Sequence, residues 1–155
     1  MPSIGRAHIA RELIAMGVVN TMQQAFDRYL IEGRPAYVPR TELPTAQTVQ
    51  KLKGMQVLPV LAHPMRMGME TPAMHAFIHS LIECGLMGLE AYHPSANARA
   101  ARMLDGLARQ EHLLVTGGSD YHGDPGSTVR IGHLPAGWPN RENDLSALKS
   151  ALHTL

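Results

Sequence analysis

The chain is predicted to be an α/β protein of parallel βα construction, preceded by a small all-helical segment. Three observations predict this. From Val57 onward, short apolar runs alternate with helix-length amphipathic stretches, one run per unit. The runs end in histidines at a repeating interval: 30 residues separate His63 from His93, and 29 separate His93 from His122. Each interval is about the length of one βα unit. Before Gly33 the chain shows two helical periodicities and no strand signal.

The first helix is predicted over Arg6 to Met16, with Ile9, Leu13 and Ile14 on one face and Gly17 ending it. A second begins at Thr21, where Thr21 and Gln24 have the form of a capping box. Ala25, Phe26, Tyr29 and Leu30 give it an apolar face, and Gly33 stops it. The two make a helical hairpin. Arg34 to Arg40 reads as an extended, proline-bounded linker. A third helix starts near Pro44 or Thr45 and ends at Gly54, with Val49 and Leu52 inward.

The first strand is expected over Val57 to Ala62, although Pro59 cannot donate to a sheet ladder. A helix follows from Thr71 to Cys84, then a strand from Met87 to Tyr92. Ser95 is read as the cap of a helix running to Gln110. His112 to Thr116 is the third strand. Gly123 to Asn143 is rich in Gly and Pro and reads mostly as loop. Asp144 is read as the cap of a last helix, with Leu145, Leu148 and Leu152 on one face.

Composition narrows the functional classes. With 155 residues and a 45% hydrophobic fraction, one domain with a real core is expected. The formal net charge of +1 points to no strong field for nucleic acid or membrane, which still leaves room for a local basic groove. Cys84 is the single cysteine, so an intrachain disulfide is excluded and a cytoplasmic location is expected. Its neighbours Leu81, Ile82 and Leu86 mark it as a core thiol. The start of the chain lacks the apolar region of a signal peptide, and no apolar run approaches membrane-spanning length. Gly-x-Gly-x-x-Gly and Gly-Lys-Ser/Thr phosphate loops are both absent.

The nine histidines carry most of the chemical information. In βα folds the carboxyl ends of the strands form the active face, and His63, His93 and His122 all fall there. Asp120 and His122 are two apart, so on extended backbone they point the same way. The competing reading of Gly117-Gly118-Ser119-Asp120 is a plain turn. Arg6 and Arg34, each beside a glycine, are candidates for phosphate, because a guanidinium fork matches phosphate oxygens. His8 is a surface or capping residue. His75 and His79 have metal-compatible helical spacing but no accompanying carboxylate, and read as surface or half-buried. Met65, Met67 and Met69 read as packing in a loop.

Three segments together resemble the polymerase and histidinol phosphatase (PHP) superfamily. These are Val60-Leu61-Ala62-His63-Pro64, Gly118-Ser119-Asp120-Tyr121-His122, and a helical stretch built from Gly5–Arg11, Ala25–Leu30 and Gly33–Pro39. The helical stretch resembles the insertion of one bacterial branch, the nucleoside-bisphosphate phosphatases and RNA 5′-exonucleases. The resemblance runs from about Ile4 to His133. It implies the C-terminal part of a distorted seven-stranded βα barrel, with residues 1–40 as a helical insertion subdomain and 41–155 as barrel units. It further implies a hydrolase of phosphoesters with a divalent metal centre (Mn, Zn or Fe). His63, Asp120 and His122 would be metal ligands, and Arg6, Arg34 and His93 would contact the nucleotide or short RNA substrate. Beyond the metal ligands it assigns no catalytic residue.

The chain departs from the family pattern twice. The family's His-x-His strand and several further ligands are absent, so the metal site is expected to be incomplete and the chain alone inactive. A truncated product, a mis-set start and a separate chain supplying the N-terminal half are equally compatible. The family's histidine near Ala96 or Asn97 is also absent. Whether the chain is an enzyme therefore stays open, and the alternative is a non-catalytic remnant acting as a binding or self-association module.

Overall fold

The computed structural model describes residues 4–39, 42–121, 129–133 and 137–154. The chain divides into two compact units, Met1–Glu42 and Leu43–Leu155. Among the described residues no helix is long and apolar enough to cross a membrane.

The N-terminal unit is a helical hairpin. Helix α1 spans Arg6–Ala15 and α2 spans Met22–Ala25, continuing as a π-helical turn over Phe26–Leu30. Its core is Ala10, Val19, Ala25 and Leu30, with Leu13, Ile14, Phe26 and Tyr29 packed against it. Ile9 is exposed, contrary to its expected inward place, and Ala10 takes the buried position on that face. Thr21 caps α2 by accepting from the Gln24 amide at 3.2 Å. The Gln24 side chain reaches back one residue further than a capping box requires, to the Asn20 amide at 3.0 Å. The expected extended linker is turned at its start. The Tyr37 amide donates to Arg34 O and the Ala36 amide to Tyr29 O, folding residues 34–37 back on the helix end.

The second unit is a three-stranded parallel sheet in the order β1 (Val60–Leu61), β2 (Gly88–Tyr92), β3 (Leu114–Gly117). Helix α3 (Thr45–Gly54) precedes it. Helices α4 (Thr71–Glu83) and α5 (Ala98–Gln110) make the two crossovers, and α6 (Arg141–His153) follows. Strand β1 is shorter than expected because Pro59 supplies no amide. Its carbonyl still accepts from the Met87 and Gly88 amides, at 2.9 and 3.1 Å. His112 lies before β3 with a positive φ of 55° rather than within the strand.

The core forms where the helix stripes meet the sheet. Met74, Ile78 and Leu81 of α4, and Ala100, Ala101, Leu104, Leu107 and Ala108 of α5, are buried with Leu89, Ala91, Tyr92 and Val115 of the strands. Half-buried Cys84 packs against this cluster, as expected of a core thiol.

Two expected caps are displaced. Asn97, not Ser95, caps α5, accepting from the Arg99 and Ala100 amides at 3.1 and 2.9 Å. Asp144 lies inside the first turn of α6, where it is 5% exposed. It accepts from Arg109 Nη1 and Nη2 at 3.0 and 2.9 Å and from Trp138 Nε1 at 2.8 Å. This polar anchor ties down the start of α6; of the expected leucine stripe Leu148 is half-buried, while Leu145 and Leu152 are exposed. Trp138 also stacks on Tyr92, with ring centroids 5.0 Å apart.

Candidate active site

Parallel strands joined by right-sized crossovers place all three carboxyl ends on one edge of the sheet. His63 follows β1, His93 follows β2 and Asp120 follows β3. The structure brings these three together. The His63 and His93 rings meet edge to face at 5.3 Å between centroids. His93 Nε2 lies 3.6 Å from Asp120 Oδ2.

The backbone is strained at both flanks. His63 has φ 33° and Asp120 φ 56°, both left-handed conformations that side chains rarely adopt. Such a residue persists only where its surroundings hold it, and strain of this kind gathers at working sites. After His63 the chain tightens into a 3-10 turn, Pro64–Met67, where a loop was expected. The turn presents Arg66, whose Nη1 lies 3.1 Å from Asp120 Oδ2.

His93 is 4% exposed and its two ring nitrogens have different environments. Nδ1 accepts from the Ser95 amide at 2.9 Å and lies 2.8 Å from Ser95 Oγ. An amide can only donate, so the neutral ring carries its proton on Nε2. That Nε2 is buried and has no hydrogen-bond partner among the described residues. Asp120 Oδ2 lies on its side at 3.6 Å, beyond hydrogen-bond distance.

The donor types of this edge, imidazole and carboxylate, suit Mn, Zn or Fe(II). Among the described residues, however, no three His, Cys, Asp or Glu side chains are grouped so as to hold a metal ion. These residues alone do not complete a metal cage. His122, an expected ligand, lies outside the described residues.

Arg6 and Arg34 belong to the N-terminal unit. Arg6 opens α1 and is half-buried; Arg34 is exposed in the turn after the π-helical segment. His8 accepts from the Gly5 amide through Nδ1 at 3.1 Å, a capping role. His75 meets Met103 Sδ of α5 at 3.4 Å and His79 meets Glu111, just past the end of α5, at 3.6 Å, so each has a partner.

Sequence reasoning missed two residues of this edge, Arg66 and Glu90. Glu90 Oε2 accepts from the His63 amide at 2.7 Å. A signal for it existed: a carboxylate inside an otherwise apolar parallel strand is costly to desolvate without a purpose.

No protein-family model matches the chain. It is 29% identical over 138 residues to the 5′-3′ exoribonuclease Rnm of Escherichia coli, covering 87% of this chain and 47% of that protein. It is 30% identical over 131 residues to the 3′,5′-nucleoside bisphosphate phosphatase of Chromobacterium violaceum, covering 84% of this chain and 46% of that one. A crystal structure from Bifidobacterium adolescentis, assigned as a metal-dependent phosphoesterase, superposes with a TM-score of 0.71 at 31% identity. That superposition covers 92% of this chain and 50% of the other. The chain thus spans about half the length of the curated relatives it matches.

Proposed function

The chain belongs to the polymerase and histidinol phosphatase (PHP) superfamily, and from that premise we propose that it serves a metal-dependent phosphoesterase acting on nucleoside bisphosphates or RNA 5′ ends. The observation that carries this reading is the meeting of His63, His93 and Asp120 at one sheet edge, on strained backbone. In this reading the three βα units are part of a distorted seven-stranded barrel, and the protein is cytoplasmic.

His63, Asp120 and His122 are the proposed metal ligands. A metal bound there would polarise the phosphoester and stabilise the charge that develops on its oxygens. His93 donates Nε2–H toward Asp120 or a substrate oxygen. Arg6 and Arg34 supply guanidinium forks for phosphate. Two described ligands do not make a centre, so the remaining ligands come from polypeptide beyond these residues, in the same chain or in a separate one.

A second reading, a non-catalytic module that self-associates, is favoured by one observation. Among the described residues β1 pairs with β2 alone, and an unpaired strand edge is a template for association.

Metal content by elemental mass spectrometry separates the two readings, run on the natively purified chain beside His63→Ala and Asp120→Ala. Stoichiometric Mn, Zn or Fe, lost in both variants, together with chelator-sensitive phosphate release from a 3′,5′-bisphosphate, supports the enzyme. A folded, metal-free wild type that elutes as an oligomer supports the module.

A further inference from the structure

Glu90 is the middle residue of the middle strand, between buried Leu89 and Ala91. Its carboxylate is wedged between the exits of both neighbouring strands. On one side Oε2 accepts from the His63 amide at 2.7 Å. On the other, Oε1 lies only 3.2 Å from where a Cβ on Gly118 would stand, so a glycine there leaves it room.

His63 needs this contact. The β1 ladder ends at Leu61, so the His63 amide has left the sheet and must find another acceptor. It does so at φ 33°, a conformation that requires support from its surroundings. A charged acceptor at short range is a strong form of such support. Arg66, the guanidinium of this edge, goes to Asp120, and Glu90 forms no ion pair among the described residues. An apolar residue would pack the strand at lower cost, so the carboxylate is there for its acceptor geometry.

We propose that Glu90 is the positioning residue of this site. It holds the left-handed backbone of His63, and so aims the imidazole, without touching the reacting atoms. The consequence for metal rests on the reading of His63 as a ligand; the hold on the backbone does not.

The test uses the ¹⁵N-labelled 155-residue chain and three variants. Glu90→Gln keeps a carbonyl acceptor, Glu90→Ala removes it, and Glu90→Leu removes it while keeping the volume. The first readout is hydrogen exchange of the His63 amide. Wild type and Glu90→Gln should be protected, and the Ala and Leu variants should exchange at least about tenfold faster. The second is Mn²⁺ affinity by calorimetry. Losing a group that orients a ligand costs about 10–100-fold, which the Gln variant should largely restore. Unchanged His63 exchange in a folded Ala or Leu variant overturns the proposal. So does a Gln variant whose amide exchanges like that of the Ala variant. If wild type binds no Mn²⁺, the ligand reading of His63 fails, and the exchange data still decide the role of Glu90.

Discussion

Arg66 Nη1 meets Asp120 Oδ2 at 3.1 Å, joining the turn after β1 to the turn after β3 across 54 residues of sequence. The guanidinium is 58% exposed, so the pair contributes little to stability. It matters more as a claim on the charge of Asp120, which a metal ion would also need.

Removing Arg66 separates these two effects. Arg66→Ala should change the unfolding free energy by less than about 1 kcal/mol in urea titration. The same substitution should tighten Mn²⁺ binding by up to about fivefold, the affinity equivalent of that energy, because a competing cation is gone. Weaker Mn²⁺ binding would mean that Arg66 supports the site instead of competing with it.

At Gly117, β3 runs close against Tyr92 of β2 and against Trp138. A Cβ there would stand 2.7 Å from the Tyr92 carbonyl oxygen, 2.8 Å from Tyr92 Cβ and 3.0 Å from Trp138 Cζ3. Gly117→Ala should therefore cost about 1–3 kcal/mol through overpacking. Trp138 is the sole tryptophan, so its near-ultraviolet signal should change as well. Gly106, inside α5 with open space around it, is the control. Gly106→Ala should stabilise by up to about 1 kcal/mol.

The anchor of α6 should behave as a partly buried network. Arg109→Ala strips Asp144 of two charged donors and, among the described residues, leaves its buried carboxylate to Trp138. A loss of about 2 kcal/mol is expected, reduced from the fully buried case because Arg109 is part-exposed. Arg109→Lys should recover less than half of it, since an ammonium cannot make the two-pronged contact. Urea unfolding of the three proteins measures both.

Tyr92 should make the fold sensitive to alkali. Burial, and then the nearby Asp105 carboxylate, push its hydroxyl above the ordinary tyrosine range. The folded state then holds the proton after the unfolded chain has released it. Stability from this group is full below the unfolded tyrosine value of about 10 and is lost as pH rises through the folded value. Unfolding free energies measured above about pH 9.5 should fall more steeply for wild type than for Tyr92→Phe.

Much of this architecture is legible one residue at a time. The spacing of His63 and His93, the stripes of α4 and α5 and the Thr21 cap are all local signals. Each depends on period and near neighbours, which the chain carries in its order of residues. That is why the βα order and the placing of His63 and His93 at strand ends are legible in the sequence.

Pairing between distant polar groups has no such local record. Glu90 meets the His63 amide across 27 residues, and Arg66 meets Asp120 across 54. Asp144 reads locally as a cap, yet it is drawn inside α6 by Arg109, which is 35 residues away. Ser95 reads as a cap as well, but the buried His93 ring takes its amide. These outcomes depend on strand register, on left-handed turns at His63 and Asp120, and on which side chains are shut away from water together. Periodicity tells which face of an element is buried. Only the packed sheet decides which donor each buried acceptor will meet, because an unmet one costs more than any local preference can offset.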